Sequence, residues 1–72
     1  MIKDITNIWI DNLKKEHSVE KIEDLTIDDL IHEIEESKGA MDNCEIANDI
    51  LGVQCNKYYI DYLNEIIETI KQ

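Results

Sequence analysis

The sequence predicts an all-α protein, a small bundle of four helices with room for a fifth, short one. Apolar side chains recur every three or four residues, and no stretch alternates between apolar and polar for long enough to form a strand. The chain has no proline, and each of its two glycines follows an apolar-periodic stretch, where a helix C-terminus is expected. A chain of 72 residues has room for one domain, residues 1–72, with a small core.

The first predicted helix covers residues 3–16. Its apolar stripe, which we expect in the core, consists of Ile5, Trp9 and Leu13. The next segment, residues 18–25, would suit a short helix with Ser18 as its N-cap. The inward side chains of this short helix would be Val19, Ile22 and Leu25.

The second predicted helix begins at a capping motif. Thr26 has the side chain of an N-cap, and an acidic residue, Asp29, follows three positions later. The apolar face of this helix consists of Ile27, Leu30, Ile31 and Ile34, and the helix is expected to end at Gly39.

Two further helices complete the predicted bundle. The third starts near residue 42 or 43, ends before Gly52, and should bury Ala47, Ile50, Leu51 and either Cys44 or Ile46. The fourth covers residues 54–71 and should point Tyr59, Leu63, Ile66, Ile67 and Ile70 inward.

Residues 45–53 resemble the helix-turn-helix of DNA-binding proteins, whose usual pattern is Ile-Ala-x-x-Leu-Gly-Val. Here one extra residue separates Ala47 from Leu51. The resemblance implies a helix-turn-helix-like arrangement of the last two helices. The following helix offers Lys57 but no arginine, and the chain carries a net charge of −10. Because phosphate contact requires positive charge, we expect this arrangement to serve packing, with no direct contact to nucleic acid.

The negative charge is concentrated in the middle of the chain. Residues 16–49 carry twelve acidic and two basic side chains, whereas residues 1–15 have a net charge of +1 and residues 50–72 of −1. Such a patch either keeps a small protein in solution or attracts a basic partner.

The candidate partner-binding residues lie on two predicted helices. His32 has acidic neighbours three and four positions away in both directions, so it lies within an acidic helix face. Tyrosines at the margin of the wide apolar face of the last helix are favoured contact residues. The full candidate set is Asp28, Asp29, His32, Glu33, Glu35, Glu36, Tyr58 and Tyr62.

No motif indicates an enzyme, a metal site or a cofactor. The chain has no glycine-rich phosphate loop, calcium loop or nucleophile motif. The four side chains that could ligate zinc are His17, His32, Cys44 and Cys55. Their spacing does not match that of structural zinc sites, so we expect no metal and two free thiols.

The composition also bears on location and source. No run approaches the roughly 18 apolar residues of a membrane span, and Asp4 and Asp11 interrupt the N-terminal stretch that a signal peptide would need. We therefore expect a cytoplasmic protein without membrane contact. Abundant Ile and Asn, with no Arg, Phe or Pro, are typical of an AT-rich bacterial or phage genome.

Two functional hypotheses follow. The first is a small acidic binding protein that inhibits or masks a basic partner, such as a nuclease or another nucleic-acid enzyme, in the manner of a phage anti-defence or toxin-immunity protein that mimics nucleic acid. The alternative is a helical oligomerisation or adaptor module that binds through the apolar face of the last helix and forms a homodimer or docks on a larger subunit.

Overall fold

The protein consists of three long helices and one short 3₁₀ turn. A computed structural model describes all 72 residues and contains no strand. The elements are α1 (Ile2–Glu16), a 3₁₀ helix (Ile22–Asp24), α2 (Ile27–Ile46) and α3 (Ile50–Lys71). The predicted all-α class is confirmed, but the predicted count of four helices is wrong.

The second helix is longer than predicted because Gly39 does not end it. Gly39 lies on an exposed face inside α2, and a side chain added there would meet no other atom within 4 Å. A glycine inside a helix costs about 1 kcal/mol relative to alanine, which a helix anchored by buried Leu30 and Ile34 can bear. The Thr26 cap is confirmed, since its side chain accepts a hydrogen bond from the backbone N–H of Asp29.

Two helices end in Schellman motifs that contain no glycine. At the end of α1, the N–H of Ser18 donates to the carbonyl of Lys15, and the N–H of the next residue donates to that of Lys14. At the end of α2, the N–H of Asn48 donates to the carbonyl of Glu45 in the same way, and the N–H of the next residue donates to that of Cys44. The φ angles of Ser18 and Asn48 are 54° and 58°, in the left-handed region that favours glycine. Ser18 is therefore the left-handed residue after α1, and not an N-cap.

The predicted third helix does not exist as a separate element. Its first residues belong to α2, its last two to α3, and the break lies at residues 47–49. Asp49 caps α3 by accepting a hydrogen bond from the N–H of Gly52, so Gly52 lies in the first turn of a helix and not after one. A link of three residues joins α2 to α3, and the two helices pack along each other in antiparallel directions, since Asn56 lies near Cys44 and Tyr59 near Glu33. The segment that resembles a helix-turn-helix is therefore the end of α2, the link and the first turn of α3.

Helix α3 is the centre of the molecule. It packs along α2 and also against α1 and the 3₁₀ turn, while no Cα atom of α1 lies within 8 Å of one in α2. At about 1.5 Å per residue, its 22 residues span the long dimension of the molecule, 36 Å. The core consists of Leu13, Ile22, Leu25, Leu30, Ile34, Tyr59, Ile60, Leu63 and Ile67.

Whether the residues expected in the core are buried depends on the element to which they belong. Most expected apolar residues of α1, the 3₁₀ turn, α2 and α3 face or border the core. One exception is Ile31, which is 46% exposed on α2. The other is the link between α2 and α3, where Ile46 and Ile50 are 83% and 72% exposed and Ala47 and Leu51 are also exposed. Since the chain turns there instead of continuing as a helix, these side chains have no neighbouring element to pack against. None of the helices is long and apolar enough to cross a bilayer.

Candidate functional site

The acidic residues predicted on α2 lie on two of its faces. Asp28, His32 and Glu35 face outward, where all three are exposed. Asp29, Glu33 and Glu36 recur at positions i, i+4 and i+7, so they share the face that turns towards α1. Asp29 and Glu33 are half-buried and Glu36 is exposed. The predicted acidic face is therefore an outer surface and one wall of a groove.

The groove lies between α1 and α2, with α3 as its floor, and has a volume of about 310 Å³. It exists because α1 and α2 both pack on α3, while their own Cα atoms stay more than 8 Å apart. Its lining combines two aromatic rings, two carboxylates and two small polar side chains. The lining residues are Trp9, Glu33, Glu36, Ser37, Ala40, Asn56 and Tyr59.

Trp9 and Tyr59 form the aromatic part of the groove. Their rings meet edge to face, with centroids 5.5 Å apart and planes at 81°. The Tyr59 hydroxyl donates a hydrogen bond to Oε1 of Glu33, at 3.0 Å. Burial raises the pKa of the Tyr59 phenol far above its usual value, and the neighbouring Glu33 carboxylate raises it further. Tyr59 therefore stays neutral and holds Glu33 in place.

Ser37 and Asn56 are buried polar residues that border the groove. Each retains only 7% of its surface. The Asn56 amide nitrogen donates to the carbonyl of Gly52 at 2.8 Å, whereas the Asn56 Oδ1 and the Ser37 Oγ make no hydrogen bond within the protein. Since no fully enclosed polar side-chain atom lacks a partner, these two oxygens keep some contact with solvent, and both residues line the groove.

Each of the two histidines lies close to one acidic residue of α2. Nε2 of His32 lies 3.0 Å from Oε1 of Glu36, one helical turn away, with both side chains largely exposed. Nδ1 of His17, at the end of α1, lies 3.9 Å from Oδ2 of Asp29. No group of three or more His, Cys, Asp or Glu side chains is arranged to hold a metal ion.

The predicted tyrosine contacts lie elsewhere. Tyr58 and Tyr62 line a shallow depression with Asp61 and Glu65, all on α3. Burial raises the pKa of Tyr62, with a smaller effect from Glu23. The α2 carboxylates do not border this depression, so the structure does not bring the eight predicted residues into one site.

A third depression lies at the link between α2 and α3, but its polar groups are already engaged. The Asp49 carboxylate caps α3, and partial burial, together with this carboxylate, raises the pKa of the Cys44 thiol. Cys44 is therefore a poor nucleophile. Cys55 is buried, and both cysteines are free thiols.

Sequence reasoning missed the non-acidic half of the groove. It placed Tyr59 in the core, where it lies, but also Trp9, which is half-buried at the groove wall and packs against the core. The available signal was a polar residue on an apolar stripe: Ser37 follows Ile34 by three positions, and Asn56 precedes Tyr59 by three. No protein-family model, curated protein or solved structure is similar enough to this chain to count as a match.

Proposed function

We propose that this chain is a small acidic binding protein that captures and masks a basic partner protein through α2. A nuclease or another nucleic-acid enzyme is the class of partner whose surface best fits this chemistry, as for phage anti-defence and toxin-immunity proteins. The observation that carries the proposal is the concentration of charge: residues 16–49 have a net charge of −10, and α2 displays carboxylates on both its outer face and its groove face.

The geometry of α2 suits such a partner. Carboxylates four positions apart on a helix are about 6 Å apart, comparable with neighbouring phosphates on a nucleic-acid strand. A rigid helix can therefore present carboxylates to lysines and arginines that otherwise contact phosphate. Opposite charges would also accelerate association, and added salt would weaken that effect.

The test is to remove charge from four residues of α2 without changing their shape. The variant carries Asp28→Asn, Asp29→Asn, Glu33→Gln and Glu36→Gln. Basic proteins captured by the wild-type chain at low salt would be identified, and their association and dissociation rates with both proteins would be measured. We expect the variant to associate at least roughly tenfold more slowly, with a smaller change in dissociation.

A matched control removes charge from α3 through Asp61→Asn, Glu65→Gln and Glu68→Gln. These residues are exposed and lie outside the groove. We expect this variant to bind almost as fast as the wild-type chain. A partner whose affinity is indifferent to the α2 substitutions and to salt would show that the acidic surface is not the binding site.

A second function is favoured by a different observation. Ile46, Ile50 and Leu51 are exposed together at the link between α2 and α3, so an oligomerisation or adaptor module would bind through this end of α3. Light scattering against concentration and salt separates the two proposals. A salt-insensitive dimer that Ile46→Ser and Ile50→Ser convert into a monomer would favour the adaptor, whereas a monomer at all concentrations would favour capture of a basic partner.

A further inference from the structure

The groove between α1 and α2 is rich in hydrogen-bond acceptors and poor in donors. Glu33 and Glu36 each have one oxygen engaged, by the Tyr59 hydroxyl and by His32, which leaves Oε2 of each available. The Oδ1 of Asn56 also accepts only, and the Ser37 hydroxyl can accept or donate. No lysine lines the groove. Two of its other donors are engaged within the protein, the Tyr59 hydroxyl by Glu33 and the Asn56 amide nitrogen by the carbonyl of Gly52, which leaves the indole N–H of Trp9.

The buried polar pair makes the groove more than a group of acidic residues. Ser37 and Asn56 line the groove and are each more than nine-tenths buried, and one oxygen of each has no partner within the protein. Exposed carboxylates are ordinary on a charged surface, whereas these two oxygens belong to side chains that burial holds in place. A ligand that donates hydrogen bonds would satisfy these oxygens.

The aromatic rings add a preference for a flat cation. The half-buried Trp9 ring lies on the same groove as the carboxylates, so a cation held by Glu33 and Glu36 would also lie near this ring. A guanidinium is planar, stacks on aromatic rings and has five donors, whereas an ammonium has three donors around one point. The acceptors lie on two helices, so a ligand with several diverging donors fits them best.

We propose that this groove receives an arginine side chain of the partner protein, with its guanidinium against Trp9 and donating to Glu33, Glu36 and the buried oxygens. This contact specifies which side chain of the basic partner the groove would bind, so its biological meaning rests on the proposed function. It assigns the groove face of α2 to a specific contact, and the outer face to long-range attraction of the partner.

The experiment uses Trp9, the only tryptophan of the chain, as the reporter. The intact protein is titrated with the peptide N-acetyl-Gly-Arg-Gly-amide, and with the same peptide carrying lysine or the uncharged analogue citrulline. We expect a saturable change in Trp9 fluorescence with the arginine peptide, at least roughly tenfold weaker binding of the lysine peptide, and no saturation with citrulline. Equal binding of the lysine or citrulline peptide would overturn the assignment, as would the absence of saturation with arginine.

Variants identify the site. The Glu33→Gln and Glu36→Gln double variant should bind the arginine peptide at least roughly tenfold more weakly, whereas Glu65→Gln with Glu68→Gln removes the same charge from α3 and should leave affinity within about twofold. Because glutamine retains an acceptor for the Tyr59 hydroxyl, the first variant should still fold, which circular dichroism checks. Equal losses in both variants would mean that net charge alone attracts the peptide.

A second measurement does not depend on charge. The Ser37→Ala variant removes an unpartnered hydroxyl from the groove, so it should weaken arginine binding about threefold or more without lowering the melting temperature. Unchanged binding would exclude Ser37 from the site. These outcomes are separable from those of the proposed function, because the peptide titration needs no partner protein and Ser37→Ala leaves every charge in place.

Discussion

The two glycines provide a matched pair of substitutions whose effects should have opposite signs. A Cβ at Gly39 would lie in open space in the middle of α2, with no heavy atom within 4 Å. Gly39→Ala should therefore stabilise the protein by the full difference in helix propensity between glycine and alanine, which is about 1 kcal/mol. For a domain of this size, that raises the melting temperature by roughly 4–8 °C.

The same change at Gly52 meets occupied space. A Cβ there would lie 2.5 Å from Oδ2 of Asp49 and 2.6 Å from Sγ of Cys44. The Asp49 carboxylate must then leave the position in which it caps α3, and loss of such a cap costs about 0.5–2 kcal/mol. The gain in helix propensity is small in the first turn, so Gly52→Ala should destabilise the protein by about 1 kcal/mol.

Urea denaturation followed by circular dichroism measures both effects on one scale. The matched variant Asp49→Ala should lose about as much stability as Gly52→Ala, and the two losses should not add, because both remove the same cap. The reasoning is refuted if Gly52→Ala stabilises the protein as much as Gly39→Ala, since the Asp49 and Cys44 side chains would then move aside at no cost.

Three further results are expected. Leu30→Ala or Leu63→Ala should cost roughly 2–5 kcal/mol, because both side chains are fully buried, and denaturation should show this loss against a total stability of about 4–11 kcal/mol. Ser18→Gly should stabilise the protein by up to about 1 kcal/mol, and Asn48→Gly by less, because asparagine tolerates the left-handed conformation better; equal stability of both variants and the wild-type chain would show that neither residue is strained. The Tyr59 phenol has a raised pKa in the folded protein, so its contribution to stability is complete below the usual tyrosine pKa of about 10 and is lost as pH rises through the folded value. Phenolate absorbance of a Tyr58→Phe and Tyr62→Phe variant, followed together with circular dichroism, should therefore show Tyr59 ionising only as the helices unfold, and ionisation of a folded protein near pH 10 would contradict its burial.

The sequence was sufficient for the helical class and for most of the core, because burial on a helix leaves a regular apolar period. Leu30, Ile34 and Leu63 are inward for that reason. Helix boundaries were harder to predict, because local signals compete. Glycine at position 39 indicated a C-terminus, but packing against α3 continues past it, and the stop comes from Asn48 and the Asp49 cap.

The groove could be predicted only in part. Charge and helical spacing placed Glu33 and Glu36 on an acidic surface, as the structure shows. They could not show that α1 stays apart from α2, because separation of two helices depends on how both pack on a third. Without that fact, Trp9 and Tyr59 are indistinguishable from core aromatics, and Ser37 and Asn56 from tolerated polar residues.

Because α1 is held by α3 and not by α2, the contacts that secure it are fewer than those that join the hairpin. Amide hydrogens of α1 should therefore exchange through local opening more readily than those of α2 and α3. A molecule lodged between α1 and α2 would tie together two helices that the chain itself leaves apart, so its binding and the rigidity of α1 would be thermodynamically linked. The long helix with the fewest contacts to the rest of the protein therefore forms one wall of the groove that contains Trp9.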